Sequence, residues 1–220
     1  MMPKLAIIHS APVTVEVFKT LANELLPGVT LVNFVDDSIL PQLAENGGDV
    51  HAVEDRLLHY ARFAEAVGAD VILSACSSVG EVAARMRECV SIPVVRIDEA
   101  MAEQVVRRGQ HIGVAATLAT TLRPTLDLLR QKAADSGRDI QLEPRLIDAA
   151  FQKLAAGDRE GHDTILANAL TDLAQSVDVV VLAQASMARV IPRLPDDLQD
   201  RFFTSPRLGM EQVKLVMEKG

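Results

Sequence analysis

Residues 70–78 read DVILSACSS, and residues 178–186 read DVVVLAQAS. Each is an aspartate, a short run of Val, Ile and Leu, and then small, mostly polar residues; the two lie 108 positions apart. An unbroken branched-aliphatic run suits a parallel strand covered on both faces, and the small residues after it suit a strand end. One copy carries Cys76 where the other carries Gln184. The match extends to other segments. LAIIHSAPVT from Leu5 pairs with IGVAATLATT from Ile112 at an offset of 107, and EQV at Glu103 recurs at Glu211 at an offset of 108. A near-constant offset at three separate places implies an internal duplication into two similar lobes, joined near residue 98.

Outward from these stretches, KLAIIHS, VTLVNFV, DVILSA, IPVVRI, HIGVAAT, QLEPRLI, DVVVLAQ and RFFTS read as strands. TVEVFKTLANELL, HAVEDRLLHYARFAEAVG, EVAARMRECV, EAMAEQVVRRG, LRPTLDLLRQKAADSG and HDTILANALTDLAQSV repeat apolar residues at i, i+3 and i+4 and read as helices. The alternation predicts an α/β protein of two pseudo-symmetric lobes, each a parallel sheet flanked by helices, with an active-site cleft between them. The expected division is residues 1–97 plus 206–220 for the first lobe and 98–205 for the second, the last helix packing back on the first lobe.

Composition narrows the function classes. With six Phe, one Tyr and no Trp, the core must be aliphatic. No apolar run approaches the roughly 18 residues of a membrane span, and MMPKLAIIHS is too short in its apolar part for a cleaved signal peptide. Two cysteines make neither a disulfide framework nor a zinc motif. A cytoplasmic location, no membrane association and no metal are expected. A net charge of −8 disfavours nucleic acid and repels anions at long range, so local donors must hold an acidic ligand. GxGxxG, Walker A and HExxH motifs are absent.

Ligands of parallel α/β sheets bind beyond the carboxyl ends of the strands. HSAPVT, ATLATT, ACSS and AQAS fall at such ends. If the lobes face each other, these loops line one cleft, with Cys76 and Gln184 approaching a ligand from opposite sides. Ser10, Pro12, Thr14, Ser77, Ser78, Thr117, Gln184, Ala185 and Ser186 are the candidate substrate-binding residues, and their neutral donors could hold a carboxylate without lysine or arginine. A helix starting at Ser77–Ser78 would aim N–H groups at Cys76, lower its thiol pKa and stabilise an enediolate. Taken alone, a free cysteine is more often a buried, inert residue. Cys89 reads as packing. His9, after the first strand, is a candidate second acid/base or a hydrogen-bonded strand-end residue. His51, His59, His111 and His162 read as surface or packing residues, and Asp36, Asp37 and Ser38 as a helix cap or a site border.

The chain resembles the aspartate/glutamate/hydantoin racemase superfamily, which includes arylmalonate decarboxylase and maleate isomerase. The resemblance spans essentially the whole chain and rests on ACSS after a strand, VDDSIL from Val35, IPVVRIDEA from Ile92, IGVAAT from Ile112 and VLAQASM from Val181. It implies cofactor-free proton transfer at a carbon next to a carboxylate, with one cysteine per lobe. Cys76 matches the first family cysteine; Gln184 stands where the second belongs, and glutamine is neither acid nor base near neutral pH. The expected function is a racemase or isomerase acting on an amino-acid-like or small organic acid, with Cys76 as acid/base. The alternatives are a malonate-type decarboxylase with Cys76 as sole proton donor and a non-catalytic binder of small acids. Cis–trans isomerisation is disfavoured because that relative uses both cysteines. A homodimer or higher homo-oligomer is expected from the prevalence of symmetric assemblies.

Overall fold

A computed structural model describes residues 2–219. In chain order the elements are β1 (Lys4–His9), α1 (Val13–Leu25), β2 (Thr30–Val35), α2 (Ile39–Glu45), α3 (His51–Ala66), β3 (Val71–Ser74), α4 (Val82–Cys89), β4 (Val94–Arg96), α5 (Glu99–Arg108), β5 (His111–Ala116), α6 (Ala119–Asp135), β6 (Gln141–Leu146), α7 (Asp148–Ala155), α8 (Arg159–Ala174), β7 (Val179–Leu182), β8 (Phe202–Thr204) and α9 (Ser205–Met217). The chain forms two compact units, Met1–Glu99 with Pro206–Gly220, and Ala100–Ser205. Each holds a four-stranded sheet, ordered β2-β1-β3-β4 in the first and β6-β5-β7-β8 in the second. All pairings are parallel.

In the first unit, alternate residues of the central strands feed two cores. Ala6, Ile8 and Ile72 pack with Ile39 and Leu43 of α2, Leu57 of α3 and Met86 of α4. Leu5, Ile7, Val71 and Leu73 face the other way, against Phe18 and Ala22 of α1 and Met210 and Val213 of α9. The C-terminal helix therefore completes the first unit, 11 residues of buried side chains sharing that cluster. In the second unit Ala115, Val180 and Leu182 pack with Ala150 of α7 and Leu166, Leu170 and Leu173 of α8.

The aspartates that open the repeated stretches are structural. Asp70 accepts the backbone N–H of Lys4 at 2.7 Å, and Asp178 accepts those of Gln110 and His111 at 2.9 and 2.8 Å. Each carboxylate ties the start of one strand to the start of its neighbour, satisfying amides that the ladder leaves open.

VTLVNFV and QLEPRLI form strands as expected, β2 and β6, and lie at the edges of their sheets with exposed and half-buried residues. Beyond the expected helices the structure adds α2 and α7. Both are short, seven and eight residues, and follow directly on the edge strands. Among the described residues no helix is long and apolar enough to cross a membrane.

Candidate active site

In the first unit the site grows from the adjacent ends of β1 and β3. Ala75 N–H donates to Ile8 O at 3.0 Å, extending the ladder one residue past β3. Cys76 follows in an extended conformation, with φ −129° and ψ 115°. Ser77–Val79 then makes a single 3-10 turn, closed by Val79 N–H donating to Cys76 O at 3.4 Å, and α4 starts only at Val82. The helix expected to begin at Ser77–Ser78 is thus one short turn, whose dipole is a minor influence.

The half-buried Cys76 thiol is pushed above its ordinary pKa by burial. The Ser10 hydroxyl, the Ser78 and Val79 N–H groups and the Ser78 hydroxyl oppose that shift by hydrogen bonding to Sγ. The expected donors are present, but the expected direction is corrected: loss of hydration outweighs them, and the thiol rests protonated at neutral pH.

Ser10, Ser77 and Ser78 are buried around this thiol turn, at 7%, 9% and 4% exposure. Pro12 is exposed and leads into α1, its fixed φ of −60° suiting a helix entry. Thr14, in the first turn of α1, has its hydroxyl oxygen 2.8 Å from Ala11 O. His9 Nδ1 lies 2.8 Å from the same Thr14 oxygen. His9 Nε2 lies 2.9 Å from Asn33 Oδ1, which only accepts, so the single N–H of a neutral ring sits on Nε2 and Nδ1 is the acceptor facing the Thr14 hydroxyl. At 1% exposure, with both nitrogens engaged and burial lowering its pKa against the opposing effect of Asn33, His9 is a neutral strand-end anchor.

The second unit repeats the backbone. Ala183 N–H donates to Ala115 O at 2.9 Å, Gln184 is extended at φ −125° and ψ 136°, and a 3-10 segment runs from Ala185 to Arg193. Met187 N–H donates to Gln184 O at 3.0 Å, matching Val79 and Cys76. Gln184 Oε1 accepts the N–H of Thr117 at 2.6 Å and its hydroxyl at 3.0 Å. Thr117 holds the place of Ser10 in the duplication, so the same pair of strand ends is cross-linked in both units, by hydroxyl and thiol in one and by hydroxyl and amide in the other. Because the backbone N–H can only donate, the carboxamide oxygen must face Thr117, which leaves Nε2–H2 to point elsewhere. Thr117 is buried, Gln184 and Ala185 are half-buried and Ser186 is exposed.

Asp36 accepts from Ser38 N–H at 3.1 Å, Tyr60 OH at 3.0 Å and Arg56 at 3.0 Å. Its carboxylate is committed to fixing the loop after β2. Cys89 packs beside Leu58 at the end of α4.

Two charged clusters were not anticipated. Arg96 at the end of β4 makes a bidentate pair with Asp98, at 2.6 and 3.0 Å, and the two are 8% and 0% exposed. A cation within VVRID, inside a buried strand, is the signal that could have exposed the pair. In the second unit the buried His162 contacts Asp163 at 2.7 Å, and Asp163 also receives Arg189 at 2.7 Å. Of the two roles expected for His162, surface or packing, burial assigns the second, beside the Asp163–Arg189 pair. Among the described residues no three His, Cys, Asp or Glu side chains gather as a metal site.

The family model for Asp/Glu/hydantoin racemase matches residues 9–213, and the chain belongs to that family. Among solved structures it is similar to an aspartate racemase homologue from Pyrococcus horikoshii OT3, with TM-score 0.73, 16% identity, and coverage of 98% of this chain and 100% of that one. A glutamate racemase from Francisella tularensis subsp. tularensis SCHU S4 in complex with D-glutamate gives 0.75 and 15%, over 99% and 82%. A glycine-to-cysteine mutant of arylmalonate decarboxylase gives 0.62 and 16%, over 99% and 94%. At these identities the likeness is one of fold. A sequence search of curated proteins gives no match.

Proposed function

We propose that this chain is a cofactor-independent enzyme of the racemase/isomerase type that moves a proton at the carbon next to a carboxylate, with Cys76 as the acid/base. The observation that supports the reading most is the ring of donors on Sγ: the Ser10 hydroxyl and the Ser78 and Val79 N–H groups at one strand end. In the forward step a thiolate takes the α-proton, and the C–H electron pair moves into the carboxyl group to give an enediolate. Hydroxyls and N–H groups that surround a thiolate suit the developing oxyanion as well. Ser10, Pro12, Thr14, Ser77 and Ser78, with Thr117, Gln184, Ala185 and Ser186, are assigned to substrate binding, the substrate being an amino-acid-like or small organic acid.

Gln184 favours a second reading. Its amide is no proton donor to carbon, so one thiol serves one face. A malonate-type decarboxylase needs only that: the C–C bond breaks, carbon dioxide leaves, its electron pair stays as the enediolate, and the Cys76 S–H proton goes to carbon. A thiol held protonated by burial suits this role.

Proton NMR in D2O separates these readings, using aspartate, glutamate, hydantoins and substituted malonates with the wild type and Cys76→Ala. Exchange of the α-proton with inversion, lost in the variant, supports the racemase. Loss of one carboxylate with stereospecific uptake of one deuteron supports the decarboxylase. Tight acid binding that survives Cys76→Ala, without turnover by the wild type, overturns both and leaves a binding protein.

A further inference from the structure

The duplication makes one asymmetry visible beyond Cys76 and Gln184. The Arg96–Asp98 pair has no counterpart: 108 positions on stand Thr204 and Pro206. Gly80, which closes the turn after Cys76, corresponds to Ala188. These three departures meet in space. A Cβ at residue 80 would lie 2.5–2.6 Å from Nε, Cζ and Nη2 of Arg96, far inside contact distance. Gly80 has φ −58° and ψ −31°, a conformation open to any residue, so space rather than backbone strain calls for glycine here. The guanidinium thus lies against the Cα of Gly80. It is held there by both oxygens of a fully buried Asp98, and β4 is registered to β3 through Ser74 opposite Arg96.

We infer that Arg96 is the positioning residue of the thiol turn: clamped by Asp98, it supports Gly80 from beneath, so that the Ser78 and Val79 N–H groups stay aimed at Cys76 Sγ. Asp98 balances its charge, so Arg96 acts through shape more than through its field. The rigid planar fork is suited to this; a flexible ammonium is not. The inference rests on the reading of Cys76 as the reactive group, but its test needs no substrate and so can fail independently of that reading.

The test is the pH profile of Cys76 alkylation by iodoacetamide in the full-length protein, followed on the Cys76 peptide by mass spectrometry so that Cys89 does not contribute. Three variants are compared with the wild type: Gly80→Ala, Arg96→Lys, and the paired Arg96→Met/Asp98→Leu. The pair removes both charges together, because a lone buried Asp98 would threaten folding. In each folded variant the thiol pKa rises, and alkylation at pH 7 falls about tenfold, the equivalent of one pKa unit. Arg96→Lys is no better than the uncharged pair if shape is the cause. Profiles that superimpose on the wild type in folded variants overturn the inference, since a purely stabilising role would leave the thiol titration unmoved. If the double variant does not fold, Gly80→Ala decides, because it keeps every charge and only displaces the fork.

Discussion

Gln184 is tethered through its oxygen and, on the proposed function, offers its nitrogen to substrate, and substitution can separate the two. Its oxygen takes both donors of Thr117, at 2.6 and 3.0 Å, and Thr117 is only 4% exposed. Gln184→Ala strips the acceptor from a buried backbone N–H and a hydroxyl. An orphaned buried donor costs about 1–3 kcal/mol, and Gln184 is half-buried, so water can replace part of the loss. A net cost of about 2 kcal/mol lowers Tm by roughly 4–8 °C in a chain of this size. Gln184→Glu is the informative partner. A carboxylate accepts from the same two donors, with charge-assisted bonds that are stronger than neutral ones. It therefore holds Tm near the wild-type value while removing the Nε2 donors and placing a negative charge where the proposed function seats an acidic substrate. Thermal unfolding and substrate titration, run on both variants, read the two tasks apart. The alanine variant is destabilised; the glutamate variant is stable but binds substrate at least tenfold more weakly. A glutamate variant as unstable as the alanine one refutes the tether. A stable glutamate variant with undiminished substrate affinity refutes Nε2 as a substrate donor.

Three further outcomes follow from the geometry. Asp178→Asn weakens two backbone contacts and Asp70→Asn one, so amide exchange at Gln110 and His111 accelerates more than at Lys4; equal, unchanged protection at all three contradicts the structural role. His9 is held below its ordinary value of 6.5 by burial, with the Asn33 contact acting the other way, so below that pH the unfolded chain binds a proton that the folded one refuses. Its contribution to stability is present at pH 7.5 and lost as pH falls below 6.5; urea unfolding at pH 7.5 and 5.5 shows a smaller loss in His9→Gln, and an equal loss counts against the assignment. Met210→Ala opens a hole in a fully buried site between α9 and β1, costing about 3 kcal/mol or roughly 6–12 °C in Tm. A shift under 2 °C means α9 does not complete that core.

The central strands β1, β3, β5 and β7 were legible because buried parallel strands leave aliphatic runs, and the duplication pairs β1 with β5 and β3 with β7. α2 and α7 escaped because ILPQLAE and DAAFQKLA are barely two turns long, too short for a helical period to stand out, and the first carries Pro41. Sequence position brought Ser10 and Cys76, and Thr117 and Gln184, to neighbouring strand ends, since a strand-end argument needs only topology. The protonation state of Cys76 was not legible. Donors can be inferred from a strand–turn–helix pattern, but the opposing desolvation depends on how the turn packs, and a 3-10 turn differs from a helix start only in three dimensions. Arg96 escaped in part for a related reason: Asp98 stands only two residues on, but the seat of the guanidinium on Gly80 is made by packing of β4 against the thiol turn.

The two halves differ in a way that orders the chemistry. In both, a strand-end hydroxyl meets the residue after the neighbouring strand, and a 3-10 turn follows with its N–H closing back. With an amide at that position, the tether is finished: Gln184 Oε1 takes both donors of Thr117, and no protonation state has to be set. With a thiol, the site is unfinished, because a buried Sγ prefers its proton and its titration depends on donors that a small displacement of the turn would misdirect. Only the thiol half carries the Arg96–Asp98 pair and the glycine that admits it. A buried ion pair is a poor source of stability, since desolvation offsets most of its attraction. Its presence on one side alone fits a demand for fixed geometry, and that demand exists where the thiol is.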